Sequence, residues 1–244
     1  PKPGFMPAEE DLAPLPENFL PVHPFHNGWM TGRDEKLAGW PREPDIIRSQ
    51  LTEYYGLIDH MDTRIGDILN TLDRNGLRDD TIIIFSSDNG LALGSHGLLG
   101  KQSLYEHSNR VPLIISGPGI PRGETDALVM LYDLFPTIAD FTGFEMPDGV
   151  DGSSLSGLLN GQQETIRDEI YTTYENIHRS VRDDRWKLIR YPRLDREQLF
   201  DLLNDPLEMN DLSGDEAYSD HASRLRSRME IYHTEFDDPH PLYV

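Results

Sequence analysis

Between Ile47 and Leu72 apolar residues recur in steps of four and three: Ile47, Leu51, Tyr54, Ile58, Met61, Ile65, Ile68 and Leu72. That stepping puts all eight side chains on one face of a helix, and no strand can present them together. The flanks agree. Glu43-Pro44-Asp45 puts a proline and acids at the start, and Asn75-Gly76 closes the segment as a C-cap pair. Asp59, Asp62 and Asp67 lie largely off the stripe and read as solvated. The next segments are of a different kind. Thr81-Ile-Ile-Ile-Phe85 and Val111-Pro-Leu-Ile-Ile115 are short runs without alternation, the pattern of strands covered on both faces in a parallel sheet. A further helix is expected between Leu131 and Phe141, with Pro136 most easily placed in its first turn. Helices alternating with buried strands predict α/β layering.

From about Glu169 the texture changes. Ile170–Tyr174, Ser180–Arg182 and the alternating Trp186–Tyr191 read as strands, with Asp183-Asp184 turning the second into the third. Gln198–Leu202 is a fourth candidate, Asn204-Asp205-Pro206 a turn, and Asp215–Phe236 a terminal helix with Leu225, Met229 and Tyr232 on one face. The expected organisation is a Pro-rich loop region (1–44), an α/β domain (45–165), and a small antiparallel sheet plus helix (166–244). His23 and His26, in the segment PVHPFHNG, read as loop histidines at the surface.

Charge narrows the range of partners. The 244 residues carry 22 basic and 43 acidic side chains, a net charge of −21, so the chain repels polyanions at long range and nucleic acid is not an expected partner. An anionic substrate requires a local positive pocket. With no cysteine, disulfides, Cys-ligated zinc and thiol chemistry are excluded within the chain. No apolar run approaches the roughly 18–20 residues of a membrane span. The chain opens on a proline-rich stretch rather than an initiator methionine, which reads as a start inside a longer polypeptide.

Chemistry concentrates between Ser86 and Lys101. Asp88 and Asn89 directly follow a buried strand, and ligands of α/β sheets bind beyond the carboxyl ends of strands. A carboxylate beside an amide carbonyl supplies two hard oxygens suited to Ca²⁺, with Mg²⁺ as the alternative, although Ca²⁺ takes roughly six to eight. Asp-Asn-Gly after a strand is also an ordinary tight turn. Alone, Lys101 is a surface lysine and His96 a satisfied loop histidine. The run as a whole says more: Gly90, Gly94, Gly97 and Gly100 make a loop of little bulk around His96 and Lys101. Glycines let backbone approach a ligand, and lysine offers a compact positive charge for a tetrahedral oxyanion.

The segment SSDNGLALGSHGLLGKQSLYEHSNRVPLIISGPGIPRG resembles the sulfatase segment in which a metal-binding Asp-Asn or Asp-His is followed by Gly-Lys, Tyr-Glu and a Val-Pro-Leu-Ile strand. The likeness continues through Leu131-Tyr-Asp-Leu-Phe-Pro-Thr137, Asp-Gly-Ser-Ser-Leu at 151–155 and Arg-Trp-Lys-Leu-Ile-Arg-Tyr, then through Leu199-Phe-Asp-Leu, Asn204-Asp-Pro, Glu208-Met-Asn210 and Leu212, and so covers nearly all of 45–236. The resemblance implies part of an alkaline-phosphatase-like domain followed by the small antiparallel subdomain. It implies metal ligands at Asp88 and Asn89 for calcium, a sulfate-contacting Lys101, and His96 as a further candidate for the catalytic group. Tyr105 and Glu106 are expected to brace the loop. The nucleophile of such enzymes is a formylglycine made from Cys or Ser in a C/S-x-P-x-R motif. A sulfate ester or sulfated glycan is the implied substrate, and a periplasmic, secreted or lysosomal-type compartment is implied with it.

The chain departs from that pattern: it has no cysteine and no S-x-P-x-R, since Ser116-Gly-Pro-Gly lacks the arginine. The expectation is therefore the C-terminal portion of a sulfuric ester hydrolase, inactive and a poor metal binder by itself. Two alternatives remain at this point: a phosphonate or phosphate monoester hydrolase of the same superfamily, and a non-catalytic module binding sulfated glycans. If strands 81–85 or 111–115 lack a neighbour, the open sheet edge is expected to drive homo-oligomer formation.

Overall fold

In the computed structural model residues 12–243 are described, and they form two compact units dividing between Pro118 and Gly119. The part of the proline-rich loop at 1–11 lies outside the described residues.

The first unit is built on α1 (Pro44–Arg74), which begins with Pro44 at its first position as the sequence implies. Ile47 and Leu51 are buried, at 1% and 4% exposure, and pack with Ala13 and Leu99. The stripe does not stay covered. Ile58, Met61 and Ile68 are 39%, 47% and 63% exposed. A helix of 31 residues is ~46 Å long, and this small cluster meets only its first turns. Among the described residues before α1 the backbone is irregular apart from a 3₁₀ turn at Asp34–Leu37 and a bridge between Phe19 and Ser95.

β1 (Ile83–Ser86) and β2 (Leu113–Ser116) follow α1, with the short α2 (Glu106–Asn109) between them. The α/β class holds, but the parallel sense expected for these two runs is corrected. They pair antiparallel, from Ile83 opposite Ser116 to Ser86 opposite Leu113. Nor are they buried on both faces: β1 is half-buried throughout, and Ile114 in β2 is 60% exposed. An apolar run records that side chains avoid water. It does not record strand direction, which the connection decides.

In the second unit α3 (Leu134–Thr142) carries Pro136 in its first turn and ends at Gly143 with φ of +70°, the left-handed cap that glycine tolerates best. It is followed by α4 (Ser156–Leu159). β3 (Ile170–Tyr174), β4 (His178–Arg182), β5 (Trp186–Tyr191) and β6 (Arg196–Asp201) then form an antiparallel meander in chain order. Register aligns Tyr171, Val181, Leu188 and Leu199 in one row across all four strands. α5 (Ser219–Glu235) lays Ala222, Leu225 and Met229 on the Val181, Leu188 and Leu199 face. Fully burying a side chain such as Leu225 contributes about 1.5–3 kcal/mol, so this row and helix are the main cohesion of the unit. The expected small antiparallel sheet with a C-terminal helix is thus present.

Buried ion pairs add to it. The guanidinium of Arg167 donates to both oxygens of fully buried Asp133, at 2.5 and 2.6 Å. Burial pushes the Asp133 carboxyl up, but the hydrogen bonds from Arg167 and from the Ser153 and Met130 amides outweigh it and hold it below its ordinary value. Lys187 and Glu208 form a second pair at 2.8 Å, each side chain 1% exposed.

Candidate functional site

The Gly-rich segment after β1 is a hairpin in all but name. Ala92, Leu93 and Gly94 donate backbone N–H groups to Gly100, Leu99 and Leu98 at 3.0, 3.3 and 2.7 Å, and the chain reverses through Ser95–Gly97. That pairing returns Lys101 to the residues that open the loop. Its Nζ donates to Asn89 Oδ1 at 2.9 Å. The amide of Asn89 is oriented for this contact, because its Nδ2 donates to the Gly90 carbonyl at 2.9 Å. Asp88 Oδ1 accepts the Asn89 backbone N–H at 3.0 Å, and Ser87 Oγ donates to the Asn89 carbonyl at 2.9 Å. Asp88 and Lys101 are exposed and Asn89 half-buried. The structure therefore brings Asn89 and Lys101 into contact, with Asp88 beside them, in a turn immediately beyond β1. An ammonium has three donors, so Lys101 keeps two for an oxyanion.

The glycines serve this arrangement differently from what the sequence suggests. They accommodate protein rather than an approaching ligand. A Cβ on Gly90 would sit 1.9 Å from the His107 carbonyl oxygen, and one on Gly97 2.6 Å from the His23 amide nitrogen. Gly94, at φ +105°, would meet Ile47 Cγ2 at 2.7 Å. The loop is thus pressed against α1, the 19–23 segment and α2.

His96 sits in the hairpin turn with φ of +53°. It is 5% exposed, and its ring stacks on Tyr105 with centroids 4.0 Å apart and planes 9° from parallel. His107 lies 5.4 Å from it, and His23 Nδ1 donates to its carbonyl oxygen at 2.9 Å. Imidazole and phenol rings thus form a buried cluster under the loop. Tyr105, 1% exposed, braces the loop as expected. The surface reading of His23 is corrected: it is 3% exposed within this cluster, while His26 is exposed. Adjacent prolines hide such burial, since the sequence around His23 carries no periodicity to betray it.

Asp88 and Asn89 match calcium or magnesium in kind, as hard oxygens, but not in number. Among the described residues there is no group of three or more His, Cys, Asp or Glu side chains that could hold a metal ion. Two donors do not make a closed site. A cleft of about 680 Å³ walled by Tyr132, Phe135, Tyr171 and Phe236 belongs to the second unit, and none of Asp88, Asn89, His96 or Lys101 lines it. Two residues of the first unit, Glu35 and Arg42, escape the sequence reading entirely. Both are buried and both bind the hairpin. In sequence they are ordinary loop charges, with no spacing to distinguish them.

Comparison with known proteins gives consistent results. The sulfatase family matches residues 9–144, and the family described as N-sulphoglucosamine sulphohydrolase, C-terminal, matches 94–235. The chain is 37% identical to a choline-sulfatase of Rhizobium meliloti over 68% of its own length and 34% of that protein. It is 34% identical to an N-acetylglucosamine-6-O-sulfatase of Bacteroides thetaiotaomicron over 78% of its length and 37% of that protein. It therefore spans little more than a third of these relatives. Among solved structures, BT4656 in complex with its substrate D-glucosamine-2-N,6-O-disulfate superposes with a TM-score of 0.75 at 30% identity, covering 86% of this chain and 45% of that one. A phosphonate monoester hydrolase from Silicibacter pomeroyi superposes with a TM-score of 0.70 at 28% identity, covering 80% and 43%.

Proposed function

Since the chain belongs to the sulfatase family, we propose that it supplies the Asp88, Asn89 and Lys101 side of a sulfuric ester hydrolase acting on sulfated sugars. The observation that carries this is the contact of the Lys101 ammonium with Asn89 Oδ1 at 2.9 Å, beside Asp88 and just beyond β1. The ammonium stabilises charge on the sulfate and on the leaving oxygen as the S–O bond breaks. Asn89 holds that ammonium in place, and Asp88 keeps the local charge balanced. Calcium, with magnesium as the alternative, would take oxygens from Asp88 and Asn89, and when bound it supplies positive charge to the sulfate oxygens and acidifies the attacking hydroxyl. The formylglycine nucleophile belongs to chain outside these 244 residues. His96 supports the loop from beneath through its stack on Tyr105. The sugar preference rests on the hexosamine sulfatase and the disulfated glucosamine complex among the relatives. A periplasmic, secreted or lysosomal-type compartment goes with that substrate.

The phosphonate monoester hydrolase neighbour favours a second reading, in which the same turn serves a phosphonate or phosphate monoester. One assay separates them. The gene product containing this chain is supplied with glucosamine 6-sulfate, 4-nitrophenyl sulfate and a phenyl phosphonate monoester, each with calcium. Sulfate ester turnover is expected to dominate, and Lys101→Ala to lower it about 10²–10³-fold. Preferential phosphonate turnover overturns the sulfate assignment. Unchanged turnover in Lys101→Ala overturns the role of Lys101.

A further inference from the structure

We propose that Glu35, seated on Arg42, is the positioning residue for Lys101, so that a buried ion pair outside the Asp88–Lys101 segment fixes where its ammonium lies. Glu35 is 5% and Arg42 1% exposed. Arg42 uses its whole guanidinium: Nε donates to the Gly97 carbonyl at 3.0 Å, Nη1 to the Glu35 and Ala38 carbonyls at 2.8 and 2.6 Å, and Nη2 to Glu35 Oε2. Its cationic carbon lies 3.5 Å from the Trp40 ring centroid. Glu35 Oε1 in turn accepts the Gly100 N–H at 2.8 Å, and the Leu99 N–H lies 3.1 Å from each carboxylate oxygen. The pair therefore grips the returning arm of the hairpin at Gly97, Leu99 and Gly100, and Lys101 is the next residue. A second brace works from outside. Gln102 Oε1 accepts the Lys101 N–H at 3.1 Å, and Gln102 Nε2 donates to Asp34 Oδ2 at 3.0 Å. A Cβ on Gly100 would stand 3.2 Å from Glu35 Oε1 and 2.4 Å from Gln102 Oε1, so the close seat of both braces depends on glycine there.

Charge as well as shape is required of Glu35. Arg42 and two backbone amides converge on it, and all are donors. A carboxylate accepts from all of them. A glutamine turns one of its two acceptors into a donor and must face either Arg42 or the loop amides with N–H against N–H. The loop then loses a hold one or two residues before Lys101, while the fold of α1 and β1 does not need to change. For its functional consequence this inference rests on Lys101 being the sulfate-contacting group.

The experiment uses the gene product containing this chain, isotope-labelled at asparagine, and reads the Asn89 side-chain amide resonance by NMR. Lys101→Ala is made in the wild-type and in the Glu35→Gln background, with backbone spectra showing that each is folded. The expected result is a clear displacement of the Asn89 signal by Lys101→Ala in the wild-type background and loss of more than half of it after Glu35→Gln. Arg42→Lys, which keeps the charge but not the fork, should retain an intermediate displacement. Where Glu35→Gln does not fold, Gln102→Ala, which leaves the buried pair intact, should reduce the displacement in part. Equal displacement in every folded background overturns the proposal, and so does none in the wild type. Inorganic sulfate titrated into the wild-type and Lys101→Ala samples tests the underlying reading separately. If Lys101→Ala binds sulfate as the wild type does, the sulfate reading fails while the positioning result stands.

Discussion

Asp238→Asn is a sharp test of how the second unit is held together. Asp238 follows α5 and reaches back to the sheet. Its Oδ1 accepts from Arg179 Nη2 at 2.8 Å and from the His240 N–H at 3.1 Å. Its Oδ2 accepts from Arg179 Nε at 2.9 Å and from the Tyr171 hydroxyl at 2.8 Å. Burial pushes the Asp238 carboxyl up, but these donors, Arg179 foremost, outweigh it and lower its pKa from 3.8 to about 2. At ~1.4 kcal/mol per unit, that shift is worth ~2.5 kcal/mol of folding stability at neutral pH. Asparagine also leaves the 1%-exposed Arg179 side chain without its counter-charge, which in buried pairs costs about 3–5 kcal/mol. The two figures overlap, and ~3 kcal/mol is the expected loss. The assay is urea unfolding followed by Trp186 fluorescence, where an m-value of ~2 kcal/mol per molar converts that loss into a midpoint ~1.5 M lower. Because the carboxyl is depressed in the folded state, its contribution is fully present above the unfolded value of 3.8 and disappears as pH falls through about 2. The gap between wild type and Asp238→Asn should therefore be constant from pH 8 to about 5 and narrow below that. A gap under ~0.5 kcal/mol at pH 7, the scale of an ordinary surface change, or one that stays constant into acid, would refute the reasoning.

Leu225→Ala empties a site with no solvent exposure where α5 meets the sheet and should cost about 2–5 kcal/mol in the same unfolding assay. Gly90→Ala drives a Cβ to 1.9 Å from the His107 carbonyl oxygen; α2 must shift, stability should fall by about 1–3 kcal/mol, and the Asn89 amide resonance should move with it. Ile114, 60% exposed on β2, lies on a two-stranded sheet with no further partner among the described residues. Wild-type chain should self-associate in sedimentation velocity and Ile114→Lys should weaken this, whereas a monodisperse wild-type monomer would count against edge pairing.

Elements with a repeating physical signal were readable in advance. The four-three stepping gave the body of α1 and the Glu43-Pro44-Asp45 flank its start, and alternation with Asp183-Asp184 between gave the β4–β5 hairpin. The second unit was legible because neighbours in sequence are neighbours in the sheet. Asp88, Asn89 and Lys101 stood out through glycine spacing and family likeness, and the structure brings Asn89 and Lys101 into contact. The sense of the β1–β2 pair was not legible, because apolar runs carry no direction. Glu35, Arg42 and the Asp133–Arg167 pair were not legible for another reason. Glu35, Arg42 and Arg167 are unremarkable charges in aperiodic stretches, Asp133 shows no partner within its own predicted helix, and the meaning of each is created by a residue seven to sixty-five positions away.

The meander order β3-β4-β5-β6 also sets a timetable. Each strand pairs with the one made just before it, so the ordering entropy is lost in small loops and low contact order favours rapid formation. The contacts of Asp238 with Arg179 and Tyr171 close separations of 59 and 67 residues, and on loop-closure grounds they are expected to form after the sheet. Interactions absent from the rate-limiting ensemble govern how long the native state survives rather than how fast it is reached. The segment after α5 is therefore a latch on lifetime: the sheet can assemble before Asp238 docks, and the finished unit resists reopening only once that contact with Arg179 and Tyr171 is made.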